Sequence, residues 1–217
     1  RYEFLLGKYF GISLTGMVFV FIMGAVQFWV MAIQAGVALW IAISLPAGLL
    51  ATLVLAMWRA HDRTAMLIPW SLLALTLGAL TFHHAAPSAW PILTMLILIM
   101  AEIMVLAAVA MVFSSFSTPF LTGVLSLGVW VMGRSAHEMV AMKSKVLAPS
   151  LRTALHYVAE VIPNFSLYVP GYRTLTTTVD HGAGPGMYLA STLGYTVLYA
   201  ALLLVLAALI FRRRDFV

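Results

Sequence analysis

Cysteine is absent from all 217 residues, and charge is scarce: Asp, Glu, Lys and Arg together make up 9% of the chain. The first absence excludes disulfides, thiolate metal sites and cysteine nucleophiles within this chain. The second excludes an ordinary soluble domain, whose surface needs about a quarter of its residues charged. Hydrophobic residues fill 63% of the sequence, and mean hydropathy is +1.03. Several apolar runs continue for about 18 residues or more, the length a membrane-crossing helix needs. They are continuous rather than alternating, which selects helices over a β-barrel. The expected fold class is all-α, a polytopic helical membrane protein.

The motifs of common chemistry are missing too. No Walker-type phosphate loop occurs, and GAGPG at 182–186 lacks the lysine and the spacing of one. It is read as a hinge or turn. The six histidines show neither HExxH nor H-x-x-x-H spacing. His83 and His84 are adjacent, so on a helix they point about 100° apart and do not share one ion easily. His137, His156 and His181 are scattered and read as loop or interface histidines. No catalytic residue, metal site or enzymatic activity is expected of this chain. A net charge of +5 invites nucleic acid, but no basic patch with interleaved aromatics is present. In a membrane protein such charge sets orientation instead.

Six spans are predicted, at about 11–33, 36–58, 65–82, 91–113, 119–133 and 192–211. The first is span-length and lacks a small-residue cleavage site, unlike a signal peptide. Pro91 suits the first turn of its helix, where a missing N–H costs nothing. Residues 134–190 are more polar and read as one extracytoplasmic segment. Within it, 150–162 is amphipathic, with Leu151, Leu155, Val158 and Ile162 on one face, Ser150 as N-cap and Pro163 as stop. Such a helix lies along the outer interface, covers a pathway, or simply connects. Alternation places Arg1, Lys8, Arg59, Arg63 and Arg212–Arg214 on one side, seven of the twelve Lys and Arg. That side is expected to be cytoplasmic.

Four elements in order resemble the permease subunits of ABC-2 type ATP-binding-cassette transporters. Arg1, Glu3, Gly7, Lys8 and Gly11 match the second half of a cytoplasmic "SR-x-E-x-x-x-GK-x-x-G" segment. Phe113-Ser114-Ser115-Phe116-Ser117-Thr118-Pro119 matches a Ser-Ser-Phe break after a later span. Ile162-Pro163-Asn164 matches a Leu/Ile-Pro-Asn element, and Arg212 to Asp215 a terminal "RRD". The resemblance implies a dimeric pathway with a second permease copy, set in membrane lipid and driven by a separate cytoplasmic ATPase. ATP and Mg would belong to that partner, with no cofactor in this chain and no nucleic acid. It implies export and a bacterial plasma (inner) membrane. It also implies two earlier spans before Arg1, so the chain is expected to be N-terminally incomplete. One departure stands out: four spans separate the GK segment from the Ser-Ser-Phe break where the family has two, the surplus lying at 35–88. A non-transporting scaffold or assembly subunit that keeps the permease fold is the rival reading.

On this resemblance the ATPase-facing candidates are Arg1, Glu3, Gly7, Lys8, Arg59, Arg63, Ser114, Ser115, Phe116 and Ser117. Glu102 is singled out by position, alone in ILTMLILIMAEIMVLAAVAM. A carboxylate there costs on the order of 3 kcal/mol on insertion scales, so it must be protonated, paired or facing a polar interior. It is either a residue of the translocation path or a packing group bonded across helices, to Gln27, Thr76 or Ser44. Gln27 is the second pathway candidate.

Overall fold

A computed structural model describes residues 2–59, 65–85, 89–141, 162–170 and 185–214. Every element among them is helical: α1 (Tyr2–Gln34), α2 (Leu39–Arg59), α3 (Leu67–Ala85), α4 (Trp90–Ser114), α5 (Pro119–Ala141), a 3-10 helix (Phe165–Tyr168) and α6 (Pro185–Arg214). Five are long and apolar enough to cross a membrane: α1, α2, α3, α4 and α6. The remaining expected span, 119–133, corresponds to α5, which is not among those five and carries Arg134 and Glu138 in its last third.

Several helix boundaries lie outside those read in the sequence, whereas α2 and α3 start later, at Leu39 and Leu67 rather than 36 and 65. The first helix already begins at Tyr2, so the GK segment is its first part rather than an approach to it. At 33 residues it is about 50 Å long, well beyond the hydrocarbon core. Its end is a Schellman motif: Gly36 takes φ 91°, its N–H reaches Ile33 O at 3.1 Å, and Val37 N–H reaches Ala32 O at 3.1 Å. The last helix starts at Pro185, which sits at its first position, rather than near 192. The amphipathic stretch 150–162 lies outside the described residues except for Ile162.

Two compact units divide the chain, Gly11–Met100 and Arg1–Phe10 with Ala101–Val217. In the first, α1 and α3 approach through small residues, as helices do in lipid where packing replaces the hydrophobic effect. A Cβ on Gly78 would stand 3.2 Å from Ala25 O and 3.3 Å from Phe28 Cβ. Ala25, Leu49 and Ala74 form the buried centre, with Trp29 and Trp70 packed on it. Trp70 Nε1 donates to Leu49 O at 3.0 Å, tying α3 to α2. In the second unit, Leu5 and Tyr9 of α1 pack with Ala107, Ala108 and Met111 of α4 and Ala200 of α6. Tyr9 Oη donates across to Met104 O at 3.3 Å.

The turn between α4 and α5 satisfies itself. Pro119 opens α5 without needing an N–H partner. At the end of α4, Ser114 Oγ donates to Met111 O at 3.0 Å, Ser115 Oγ to Val112 O at 2.6 Å and Ser117 Oγ to Phe113 O at 2.9 Å. Two of these carbonyls also take backbone N–H groups of the turn, Val112 O from Ser115 and Phe113 O from Phe116 and Ser117, so the serines add second bonds at a helix end where partners are scarce. Local serine capping is what the Ser-Ser-Phe-Ser-Thr-Pro sequence leads one to expect.

Candidate functional site

Glu102 lies halfway along α4, about 18 Å from either end of the helix. Its side chain is 12% exposed. The carboxylate is met from α5: Trp130 Nε1 donates to Oε1 at 2.7 Å, and Arg134 donates to the same oxygen at 3.0 Å. Arg134 also lies over the Trp130 ring, 5.2 Å from its centroid. Thr76 and Ser44, candidate partners from sequence, bond within their own helices, to Leu73 O and Ile41 O. Gln27 is exposed on α1.

The geometry of Arg134 runs against habit. A long cationic side chain beside apolar surface usually carries its charged head out toward water. Arg134 sits about 22 Å along α5 from Pro119. Yet its guanidinium lies over Trp130, one turn back toward the helix start, where Glu102 holds it. Helical side chains lean that way by construction, and the ion pair makes use of the lean.

Behind this pair the chain folds back on itself. Gly133 faces the segment 162–165, and a Cβ there would run into Pro163 O and stand 2.7 Å from Phe165 Cδ2. Phe165 and Tyr168 of the 3-10 helix are buried. Asn164 caps it, its Oδ1 accepting from Ser166 N at 3.1 Å and from Ser166 Oγ at 2.6 Å. Three bonds fasten the segment to α6. Asn164 N donates to Tyr195 Oη at 3.0 Å, Tyr188 Oη donates to Leu167 O at 2.6 Å, and Tyr168 Oη meets Thr196 Oγ1 at 2.8 Å. Because Thr196 gives its own hydrogen to Thr192 O, Tyr168 is the donor in the last pair. Burial pushes the Tyr168 phenol up to about 12, the Thr196 bond pulling the other way and the Glu102 charge adding a smaller upward push. It therefore keeps the proton it donates.

Tyr168→Phe removes that donor without stranding Thr196, which still bonds Thr192. The expected loss is about 1 kcal/mol, the net worth of one neutral hydrogen bond. A thermal unfolding midpoint in detergent that falls only slightly would agree; collapse of the fold would not.

The other candidates are dispersed. Glu3, Gly7 and Lys8 are exposed on the first turns of α1, and Arg59 is exposed at the end of α2. Phe116 is exposed at the α4–α5 turn, whereas Ser115 is buried there and turned to its own helix. Arg1 and Arg63 lie outside the described residues. Trp130, Arg134, Tyr168, Tyr195 and Thr196 are the members that sequence reasoning missed. The i, i+4 spacing of Trp130 and Arg134 was a usable signal, hidden by ending the span at Gly133. Among the described residues, no cluster of His, Asp and Glu is placed to hold a metal.

The chain matches no family model, no curated protein and no solved structure.

Proposed function

We propose that this chain is the membrane-embedded permease subunit of an ABC-2 type transporter, working in a dimeric pathway powered by a separate cytoplasmic ATPase. The observation that carries the reading is the order of four motifs: the GK segment, the Ser-Ser-Phe-Ser-Thr-Pro turn, Ile-Pro-Asn and the terminal arginines with Asp215. The Glu102–Arg134 pair adds support, since ionisable groups inside membrane helices are costly and mark pathways or their gates. On this reading α5 is also a span, the fifth of six in chain order, 150–162 lies at the outer interface, and the protein exports its cargo across a bacterial inner membrane. Movement between inward- and outward-open states would need contacts that differ between them.

The test is association with an ATPase. The full-length protein, purified gently, should carry a nucleotide-hydrolysing subunit. Reversing Arg1, Lys8 and Arg59 together should weaken that association, and more so at low salt, because rim charges act through screened attraction. A full-length protein that carries no ATPase would leave the scaffold reading in place of this one.

A further inference from the structure

The outer face of α5 combines two features that seldom meet in a membrane helix. Val124, Leu127 and Val131 are 50%, 60% and 49% exposed, and their spacing of three and four residues puts them in one stripe. Arg134 continues the stripe by three residues, with its side chain 37% exposed. Gly128 falls on the same face, with nothing within 4 Å of where a Cβ would be. From Val124 to Arg134 the stripe is about 15 Å long.

The guanidinium at its end is only partly used. Arginine has five N–H donors, and among the described residues Arg134 spends NH1 on Glu102. One face of the planar guanidinium lies over the Trp130 ring, 5.2 Å from its centroid. The rest of the guanidinium is engaged by no described residue, and the side chain is 37% exposed; with α5 in the membrane, as the permease reading has it, unpaired donors there are costly. A free guanidinium edge is suited to a carboxylate or phosphate, which it can meet with two parallel bonds. An apolar stripe leading to it is suited to a hydrocarbon tail.

We infer that this face of α5 binds an amphiphilic anion, with its phosphate or carboxylate on Arg134 and its tail along Val131, Leu127 and Val124. This rests on the permease reading in one respect, that the occupant is cargo rather than a structural lipid. Glu102 is then a positioning residue: it holds the guanidinium at depth and leaves one edge for the ligand.

Dodecyl phosphate is the probe, added to the full-length protein in a neutral detergent, with dodecyltrimethylammonium as the opposite-charge control. Saturable stabilisation by dodecyl phosphate alone is expected. Arg134→Gln should weaken it about tenfold or more, the worth of a charge-assisted bond. Because that variant strands Glu102, Glu102→Gln with Arg134→Gln provides a neutral cluster, and it should show the same loss. Val131→Asn should weaken binding while leaving the head-group contact. Equal binding by wild type and the neutral pair, or equal binding of the two probes, would overturn the inference. So would disulfide capture of a second copy through Val131→Cys, which would show the stripe to be a protein interface. Loss of probe binding in phosphatidylglycerol nanodiscs, with binding kept in phosphatidylcholine, would assign the face to bulk anionic lipid and overturn the cargo assignment. A protein that carries its ATPase but shows no Arg134-dependent binding fails this inference alone. One that binds the probe but carries no ATPase fails the permease reading alone.

Discussion

Arg134→Leu should destabilise the folded protein by about 3–5 kcal/mol, and adding Glu102→Leu should return most of that loss. The reason is the position of Glu102. It is short, sits in the middle of α4, and has no route to either surface once its partner is gone. A carboxylate without its counter-charge there is costly and works against the helix packing. The reverse single change, Glu102→Leu, should cost less, because Arg134 is long and can then extend to the nearer interface. Replacing both charges by leucine removes the desolvation penalty together with the attraction, which for buried pairs is often close to neutral. The fraction folded across a titration of denaturing detergent in mixed micelles gives all four corners of the cycle. Losses that simply add, with coupling under about 0.5 kcal/mol, would show that the pair is not energetically joined.

Gly133→Val should be nearly as severe, with a loss of about 3 kcal/mol. The atoms around Gly133 are poor at yielding: a backbone carbonyl from Pro163 and the ring of a fully buried Phe165. A branched side chain there must push the 162–168 segment off α5. Hydrogen exchange reads this directly, since the amides of Ser166 and Val169 are bonded to Asn164 Oδ1 and Ser166 O while the segment is docked. Fast exchange at both is expected in the variant and slow exchange in the parent. Gly128→Ala on the same helix meets open space, so it should be neutral or gain a few tenths to 1 kcal/mol. Equal effects at the two glycines would mean that the contact at Gly133 is not what holds the segment.

The local features of the fold were the most legible in sequence. Continuous apolar runs marked the helices, and the Ser-Ser-Phe-Ser-Thr-Pro turn was readable because its caps bond within a few residues. Composition misled where polar residues are helical. Arg134, His137 and Glu138 look like loop, yet α5 continues through them to Ala141. Arg134 is tolerated there because its counter-charge comes from another helix, 32 positions away in sequence. No window along the chain contains both partners. Glu102 could therefore be found by its isolation, while Trp130 and Arg134 could not be found as its answer. The same holds for Tyr168 and Thr196, whose bond crosses 28 positions. Gly36 was half-visible: a glycine after a helix suggests a cap, but the Schellman pair needs the backbone.

One detail of the charged cluster bears on how α4 and α5 can move. A carboxylate offers about four acceptor positions over two oxygens, yet Trp130 and Arg134 both use Oε1 of Glu102. Two donors from one helix thus meet one atom of the other. Small displacements of α5 along α4 are resisted by both bonds at once, and a displacement of one helical turn loses both in the same step. The register of α5 against α4 is thus tied, at mid-helix, to a single oxygen atom.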